Sequence, residues 1–506
     1  MPRALDPRVD LSVLASGDTE RAHHEEVGDA LHGPHSAALR AAQLPLVARL
    51  SKLGSARALA QAETLIGWME DQPRYRALCE NDQRVAGRRL IKKSIRFPRP
   101  PRARLLHARL GLLGADFPIE TREAWEDLAD ALARLREGAP PKPRHVDVQN
   151  FFAEMEDAGW LREQELRPPI GAGPGILFVG HNSAIVASFT TRVMIDPWLR
   201  PWHDGDPDRY RPLCIEQWGH LDAMVITHGH GDHFHLGTLL RIPRDTLILV
   251  PRVAQSTLLA TSLAQTLSAI GFSRVVEWQP GERRQVGDLT LEALPFFGEQ
   301  PTASALIDET IRNVGCTCIV RTPDFSAAFL ADTGADARGS MREAAHHVDQ
   351  VDVVFSGARG FSLAPLFFPT TTLDVFLANV PIDELTKTQA LMHDAETALD
   401  CAEAFRAKLL VPYADGGAPW YWREGMGPSY AGYPSYPGWR TAPSMSEELA
   451  QSDPFPERVV ECARVRQSAV RVECLRPNDS LRMEHGRTSR AWRIERPKNN
   501  GWIYDR

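Results

Sequence analysis

One short stretch of the chain carries four metal-binding side chains at close spacing. It runs Thr-His-Gly-His-Gly-Asp-His-Phe-His over Thr227 to His235, and it follows an apolar run that predicts a buried strand. A strand that ends in His-x-His-x-Asp-His puts four ligands on one loop, where a rigid sheet can aim them. His228 and His230 can share one cation, while Asp232 and His233 can reach a second cation beside it. The sequence therefore predicts a metal site at this loop.

The composition is typical of a globular protein with more than one structural unit. The chain has 506 residues, 43% hydrophobic and 24% charged, so two or three units are expected. Its net charge of -7 gives no indication of a nucleic-acid partner. The seven cysteines form no Cys-x-x-Cys pair, which argues against a disulfide framework, a zinc ribbon or an iron–sulfur cluster. Without a signal peptide or a membrane-length apolar run, the chain is expected to be cytoplasmic and to have no membrane partner.

A change of sequence texture near residue 170 marks the main predicted boundary. Residues 1–170 are expected to form a separate, mainly helical or mixed amino-terminal domain, with a polar, loosely attached arm at 1–35. Apolar spacing predicts its helices at 36–90, 123–136 and 148–161. A Pro- and Gly-rich linker at 167–175 ends this domain.

Beyond the linker, short strands alternate with helical stretches. The strands are predicted at 176–179, 184–188, 192–195, 224–226, 246–250, 274–278, 289–294, 316–321, 327–330 and 351–355. Repeated strand pairs with interspersed helices predict two sheets covered by helices on their outer faces, an αββα sandwich of the α/β (α+β) class. We assign residues 171–425 to this catalytic domain and 426–506 to a carboxy-terminal extension that packs on it.

A basic stretch lies in the amino-terminal part. Between Arg84 and Leu110 there are ten Lys or Arg residues and no Asp or Glu. A solvated basic face is the ordinary interpretation of such a run. The alternative is a docking surface for an acidic partner.

The order of the polar motifs resembles the metallo-β-lactamase superfamily, in particular its lactonase-like and phospholipase D-like hydrolases. Gly180-His181-Asn182-Ser183 precedes Asp196-Pro197, and the histidine motif follows. The resemblance covers residues from about 176 to at least 415. It implies that Asp196 braces the metal loop from outside the coordination sphere. His181 is either a further metal ligand or a capping side chain on a strand-to-strand turn.

A dinuclear site in this superfamily implies three further ligands downstream. Asp332 follows a predicted strand and is the expected bridging carboxylate, whereas Asp324 is predicted to form a turn and Asp336 to cap a helix. The hydrolases place a histidine midway between the first motif and the bridging aspartate. This sequence has no histidine from 236 to 345, and Glu299 is the well-placed ligand there.

The last ligand is expected to be His393. Three other histidines are set aside because their positions are predicted to be exposed or near the tail: His346, His347 and His485. In the alternative arrangement His393 supports the site from outside, and Tyr413 or Asp415 lies near the metal.

The full combination resembles the nonheme diiron β-hydroxylases of chloramphenicol biosynthesis (CmlA type). This resemblance implies two iron ions, O2 as co-substrate and an external electron donor. The implied substrate is an amino acid tethered to a carrier domain of a nonribosomal peptide synthetase, hydroxylated at its β-carbon. The implied ligands are His228, His230 and Glu299 for one iron, Asp232, His233 and His393 for the other, and Asp332 as the bridge.

The same resemblance suggests tasks for the remaining parts. The amino-terminal domain would serve dimerisation or carrier docking, and the basic stretch would contribute to either surface. The aromatic segment at 419–439 would line the substrate entrance or form a packed lid. The alternative function is a dinuclear zinc or manganese hydrolase acting on a lactone, amide or phosphodiester, because Glu299 can also hold those metals. A noncatalytic binding module is disfavoured by the nearly complete ligand set.

Overall fold

The computed structural model describes residues 3–15, 104–110, 113–163, 173–199, 213–253, 262–298, 315–336, 338–360, 362–363, 389–414, 457–485 and 490–495. All ten predicted strands fall within these ranges. The helices predicted at 36–90, the aromatic segment at 419–439, and the individual residues Glu299 and Asp415 lie outside them.

The amino-terminal part is a mixed α/β unit. In chain order its elements are β1 (Arg3–Leu5), β2 (Asp10–Ala15), β3 (Arg104–Leu110), β4 (Leu113–Ile119), α1 (Arg122–Arg136), α2 (Val146–Asp157) and β5 (Leu161–Glu163). Strand β3 is central in a three-stranded antiparallel sheet with β2 and β4, and β1 pairs with β5. Helix α1 begins where the Thr121 hydroxyl accepts a hydrogen bond from the Ala124 N–H.

The loosely attached arm predicted at 1–35 is wrong for residues 3–15, which form β1 and β2. Leu5, Val9 and Leu11 are all buried in the amino-terminal core. Strand β2 pairs with β3, which lies far along the chain, and a local sequence pattern does not reveal such a pairing. Within the basic stretch, the described part is β3 itself, the middle strand of this sheet.

The first sheet of the sandwich begins after the predicted linker. Its strands here are β6 (Gly175–Gly180), β7 (Ser183–Ala187), β8 (Arg192–Ile195), β9 (Ala223–Val225), β10 (Leu247–Pro251) and β11 (Val275–Trp278). Strands β6, β7 and β8 are antiparallel, and β8 to β11 run parallel to one another. A 3-10 turn (Ile215–Gln217) precedes β9, and helices α3 (Leu236–Leu239) and α4 (Leu263–Ala269) flank β10.

The second sheet and its helices follow. In chain order the elements are β12 (Arg283–Val286), β13 (Leu289–Pro295), β14 (Cys316–Arg321), β15 (Ser326–Phe329), β16 (Ala335–Asp336), β17 (Gly339–Ser340), α5 (Met341–Ala345), β18 (Val353–Ser356), β19 (Ser362–Leu363), β20 (Gln389–Ala390), α6 (Ala395–Ala404), β21 (Leu409–Pro412), α7 (Glu457–Val465) and β22 (Arg471–Val472). The sheet order is β12-β13-β14-β15-β18-β21-β22, antiparallel as far as β15 and parallel beyond it.

The last described strands return to the first sheet. Strands β23 (Ser480–His485) and β24 (Arg490–Glu495) form a hairpin, and β23 pairs antiparallel with β6. The first sheet therefore has eight strands in the order β11-β10-β9-β8-β7-β6-β23-β24. The predicted carboxy-terminal extension thus contributes strands to both sheets.

The two sheets pack face to face and carry helices on their outer faces. The buried layer between them contains Ile176, Val186, Ile195 and Val225 from the first sheet and Leu291, Val320, Phe329, Phe355 and Val411 from the second. Each such side chain contributes about 1.5–3 kcal/mol when it is removed from water. Helices α1 to α4 share a core with the outer face of the first sheet, and α5 to α7 share one with the second. The predicted αββα sandwich is confirmed.

The amino-terminal unit is part of this layered packing. Its core is continuous with the outer face of the first sheet, so the described part of residues 1–170 covers that face. The domain limits at 170 and 425 stay predictions. Among the described helices, none combines the length and apolar character needed to cross a membrane.

Two aspartates near the predicted bridging residue have different surroundings. Asp324 lies in the turn between β14 and β15, where its N–H donates to Thr322 Oγ1. Asp336 is not the helix cap that the sequence predicted. Its buried carboxylate accepts hydrogen bonds from Arg338 and from the Gly298 N–H. The cap of α5 is Ser340, whose side chain forms a capping box with Glu343.

Candidate metal centre

The centre lies where strand ends from both sheets meet. Asp196 follows β8, and Thr227 to His233 follow β9, its parallel neighbour in the first sheet. Asp332 follows β15 of the second sheet. His181 lies in the turn between β6 and β7. Ligand-bearing loops at strand ends are held by the rigid sheets behind them, as a metal site requires.

A first group of metal-binding side chains consists of His228, His233 and Asp332. One potential ligand atom from each lies within 4.8 Å of the others. His233 Nε2 is 3.2 Å from Asp332 Oδ2, and the rings of His228 and His233 are 4.0 Å apart at their centroids. All three side chains are buried. The sequence predicted each of them as a ligand, and the structure brings them together.

A second group shares His233 and adds His181 and Asp232. Again one potential ligand atom from each lies within 4.8 Å of the others. His181 Nε2 is 2.9 Å from Asp232 Oδ2, and His233 Nε2 is 3.8 Å from the same oxygen. His233 therefore stands between two carboxylates, Asp232 on one side and Asp332 on the other. This arrangement fits two neighbouring cation positions.

Asp196 fixes the orientation of the His233 ring. Its Oδ2 is 2.8 Å from His233 Nδ1 and accepts a hydrogen bond from Thr227 Oγ1 at 2.7 Å. Its Oδ1 accepts a hydrogen bond from the Thr227 N–H at 2.7 Å. Because Nδ1 is engaged with Asp196, the other ring nitrogen, Nε2, faces the two candidate ligand carboxylates. Such a carboxylate–histidine contact sets the tautomer of a metal ligand.

Backbone strain concentrates around this centre. Among the described non-glycine residues with positive φ are His181 (51°), Asp196 (45°), Ala331 (50°) and Ala414 (69°). Ala414 donates its N–H to the His181 carbonyl, and the Ala331 N–H donates to the hydroxyl of Tyr413 at 2.7 Å. Left-handed conformations at such residues cost about 1–3 kcal/mol each and persist where the surroundings enforce them. The loops are thus held in conformations that aim His181, Asp196 and Asp332.

The charges of the metal-free centre are unbalanced around His233. Burial lowers the pKa of this imidazole. The charges of Asp332, Asp196 and Asp232 raise it by a larger amount, so that the pKa of His233 lies well above its usual range. Burial raises the pKa of Asp232, but His233 and His181 lower it more, and the net direction is downward. Burial lowers the pKa of His181 below its usual range.

The donor set fits a bound metal. Asp332 Oδ1 is buried and makes no hydrogen bond within the described parts of the chain. A buried carboxylate oxygen without a partner costs free energy, and in a native protein it indicates an absent ion or water. Three carboxylates surround a single histidine that carries a raised pKa. Such surplus negative charge next to imidazole nitrogens suits divalent cations.

This charge arrangement predicts opposite pH dependences for metal binding and for the metal-free fold. The proton on His233 must leave before a metal binds Nε2, so metal affinity should rise about tenfold per pH unit below the raised pKa of His233. In the metal-free protein, the stabilisation from protonated His233 is full below about pH 6.5, the unfolded value. It is lost as pH rises through the raised folded pKa. Zn²⁺ titrations and denaturation curves of the metal-free protein between pH 6 and 9 measure the two pH dependences. A metal affinity that does not change with pH would contradict the first prediction.

His393 lies beside the first group without belonging to either group of three. Its N–H donates to the Thr333 carbonyl at 3.0 Å, its carbonyl accepts from the Gly360 N–H, and its Nδ1 is 3.0 Å from Ser356 Oγ. Burial lowers the pKa of this imidazole to about 4, so it is neutral near pH 7. A neutral buried imidazole next to the Asp332 loop is compatible with the predicted ligand role. Tyr413, the alternative, uses its hydroxyl to hold Ala331.

Glu299 itself is outside the described residues, but the chain leading to it is not. Phe296 packs its ring 4.9 Å from the His228 ring. The Phe297 carbonyl accepts a hydrogen bond from the Gly334 N–H, two residues after Asp332. Gly298 has a φ of 85°, and a Cβ there would lie 2.3 Å from the Leu391 carbonyl oxygen. The segment before Glu299 therefore packs between the loops that carry Asp332 and His393.

His230 lies next to His228 but is in neither group of three. The two rings meet edge to face with centroids 4.9 Å apart. His346 and His347 are exposed after helix α5, as expected for residues without a ligand role.

Two supporting residues were not identified from the sequence. Thr227 binds Asp196 through both its N–H and its hydroxyl, and Ser356 contacts His393. Thr227 opens the motif, so its place before the first histidine was a usable signal. Ser356 ends the apolar strand β18, and a small polar residue at that position gave only a weak signal.

Comparison with known proteins agrees with the fold and the motif. Residues 191–412 match the family model described as the beta-lactamase superfamily domain. Over 250 residues the chain is 27% identical to 4-amino-L-phenylalanyl-(CmlP-peptidyl-carrier-protein) 3-hydroxylase of Streptomyces venezuelae, covering 48% of this chain. The alignment spans 44% of that relative, less than half of its length. A UPF0173 metal-dependent hydrolase of Korarchaeum cryptofilum is 40% identical over 58 residues, 12% of this chain and 23% of its own length.

A solved structure extends the likeness in fold to nearly the whole chain. The crystal structure of CmlA, a diiron β-hydroxylase from Streptomyces venezuelae, matches with a TM-score of 0.56 and 17% identity. The match covers 95% of this chain and 99% of that one. Residues 191–412 thus match the superfamily domain and have the metallo-β-lactamase fold, and the likeness in fold extends over 95% of the chain.

Proposed function

We propose that the centre holds two metal ions. The proposed ligands are His228, His230 and Glu299 for the first metal, Asp232, His233 and His393 for the second, and Asp332 as a bridge between them. Support comes from the two overlapping donor groups that share His233 and from Asp332 Oδ1, which has no hydrogen-bond partner among the described residues. His181 and Asp196 are assigned to support, because each contacts a proposed ligand at hydrogen-bond distance.

The proposed metals are iron. A glutamate where the hydrolases use a histidine adds an anionic oxygen to the first metal, which favours iron or manganese over zinc. Gly298, the residue before Glu299, lies against the Leu391 carbonyl and the Gly334 N–H, which are two residues from His393 and Asp332 along the chain.

The proposed reaction is β-hydroxylation of an amino acid tethered to a carrier domain of a nonribosomal peptide synthetase. The observation that carries it is the CmlA-like fold across nearly the whole chain, combined with a sequence that has no histidine from 236 to 345, where Glu299 is the proposed ligand. In the overall reaction, the substrate C–H bond, O2, two electrons and two protons give the C–OH product and one water. A diiron centre supplies O2 activation, and an external donor supplies the electrons.

Several residues of the protein fix the orientation of the proposed ligands. Asp196 and Thr227 fix the His233 ring, and His181 orients Asp232. His393 is neutral and held between Thr333 and Ser356. The described part of 1–170 covers the outer face of the first sheet, and we assign dimerisation or carrier docking to this unit. A cytoplasmic location belongs to the same proposal, since carrier-bound biosynthesis takes place there.

The second candidate is a dinuclear metallohydrolase. It is favoured by the 58-residue likeness to a UPF0173 metal-dependent hydrolase. In that case a zinc or manganese pair would activate water for attack on a lactone, amide or phosphodiester.

Metal identity separates the two candidates first. Protein purified without added metal is expected to contain about two irons per chain and to absorb in the near ultraviolet as an oxo-bridged pair does. Glu299→His should alter that band and shift the content toward zinc, because the carboxylate that favours iron is gone. Glu154→His, on the exposed face of α2, is the matched control and should leave both unchanged. Two zincs and no such band in the wild type would favour the hydrolase.

Substrate form provides the second test. Iron-loaded protein supplied with electrons and O2 should hydroxylate an aminoacyl carrier domain and leave the free amino acid unchanged, with mass spectrometry as the readout. Generic lactones and phosphodiesters should be hydrolysed at trace rates at most. Rapid hydrolysis of either, with no mass increase on any aminoacyl carrier domain, would contradict the hydroxylase proposal.

A further inference from the structure

The last histidine of the metal motif has no assigned role. His235 stands two residues after His233 and is not one of the proposed ligands. It is the N-cap of α3, where its Nδ1 accepts a hydrogen bond from the Thr238 N–H at 3.1 Å. Nδ1 also lies 2.8 Å from Thr238 Oγ1. The His235 side chain therefore joins the end of the ligand loop, Thr227 to His235, to the helical turn α3 that follows it.

Thr238 connects this contact to the loop that carries Asp196. Its Oγ1 accepts a hydrogen bond from the Leu199 N–H at 2.9 Å, so its own proton is available for His235 Nδ1. Leu199 comes three residues after Asp196, the carboxylate that orients the His233 ring. His235 and Thr238 thus connect the loop that carries the ligands with the loop that orients them.

The amino-terminal strand β2 packs against α3 and His235 on the side away from the Asp196 loop. A Cβ on Gly237 would lie 1.7 Å from the Leu11 carbonyl oxygen, so only glycine permits this approach of β2 to α3. His235 Nε2 lies 3.8 Å from Asp10 Oδ1, on the same strand. The α3 turn is therefore held between β2 and the Asp196 loop.

We propose that His235 is a positioning residue of the metal centre, which anchors the ligand loop to Thr238 and, through α3, to amino-terminal strand β2. This inference rests on the metal centre proposed above, but not on the identity of its metal or substrate. The ligand loop contains four closely spaced donors, and a shift of its end moves His233 and Asp232 relative to Asp332. Partners of this kind, one step removed from the metal, change metal affinity when they are lost.

Co²⁺ binding by the full-length protein tests this role without any substrate. The dissociation constant is measured by competition with a chelator, and the visible d–d absorption band reports the ligand geometry. His235→Ala should weaken Co²⁺ binding about tenfold and change the band. His235→Asn, which keeps an acceptor for the Thr238 N–H, should recover most of the affinity.

A matched control separates positioning from ordinary capping. His145 caps α2 in the same way, with its side chain accepting from the Asp147 N–H, but within the amino-terminal unit. His145→Ala should lower stability by a similar amount to His235→Ala and leave Co²⁺ affinity and the band unchanged. If His235→Ala does not fold, Thr238→Val replaces it, since the substitution conserves shape and removes the hydroxyl that joins His235 to Leu199.

The outcomes are distinct. Weaker Co²⁺ binding in His235→Ala or Thr238→Val, with recovery in His235→Asn or Thr238→Ser, supports the positioning role. Wild-type affinity and an unchanged band in a folded His235→Ala or Thr238→Val variant would show that His235 is only a cap. A wild-type protein that binds no Co²⁺ would overturn the metal centre itself, and this inference with it.

Discussion

Replacing Asp332 by Asn is expected to reduce the metal content from about two ions per chain to one or none. Asp332 is the carboxylate of the first donor group, and its Oδ2 lies 3.2 Å from His233 Nε2. Its Oδ1 is buried without a hydrogen-bond partner among the described residues, which leaves that oxygen free for a second metal. An amide has one acceptor oxygen and no charge, so it can neither bridge two cations nor balance their charge.

The measurement is metal content after equilibration with two equivalents of metal and removal of the unbound ions. Asp324→Asn, in the turn between β14 and β15, is the control and should retain both metals. The variant should also release fewer protons on metal binding, because the pKa of His233 falls when Asp332 loses its charge. An Asp332→Asn protein that retains two metals with wild-type affinity would exclude a bridging role.

The loop that carries the proposed ligands could be predicted from the sequence because its signal is local. A run of four donors after an apolar strand requires no knowledge of distant contacts, and the structure brings His228, His233 and Asp332 together as expected. The sandwich was also predictable, since most of its strands are apolar runs bounded by turn residues. Strand β12 was missed because three of its four residues are exposed at the edge of the sheet.

Other features depend on pairings between distant parts of the chain. Strand β2 pairs with β3, and β23 with β6, across long separations in the chain, and the local pattern of one strand does not identify its partner. The same limit applied to residues 3–15, which were expected to be an arm. They instead pack against α3, the turn that follows the metal motif, where Leu11 approaches Gly237. Contacts of this kind are decided by tertiary packing rather than by local preference.

Strained backbone was the least predictable part of the site. Ala331 has a φ of 50°, yet alanine gives no sequence sign of a left-handed conformation. The conformation is enforced by the Tyr413 hydroxyl on the Ala331 N–H and by the Gly357 N–H on its carbonyl. The sequence placed Tyr413 near the metal as an alternative to His393, and the structure shows it holding the residue before Asp332.

Asp196→Asn should weaken metal binding about 10- to 100-fold and lower the free energy of unfolding by about 3 kcal/mol. The carboxylate is fully buried and contacts the Thr227 N–H, the Thr227 hydroxyl and His233 Nδ1. An asparagine has the same shape and tolerates the φ of 45°, so the backbone is not the cause. Its NH2 group, however, must face either Thr227 or the His233 Nδ1–H, which places two donors against each other.

The matched control is Asp352→Asn, because Asp352 accepts from both the N–H and the hydroxyl of Ser326 just as Asp196 does from Thr227. This pair joins β15 to β18 at the ends opposite the centre, so Asp352→Asn should lose stability without losing metal affinity. Denaturation of the metal-free proteins and Zn²⁺ titration of the folded ones give the two quantities separately. Equal losses of stability with unchanged affinity in Asp196→Asn would mean that Asp196 supports the fold alone. A selective loss of affinity would show that the ring orientation of His233 is what Asp196 contributes to the centre.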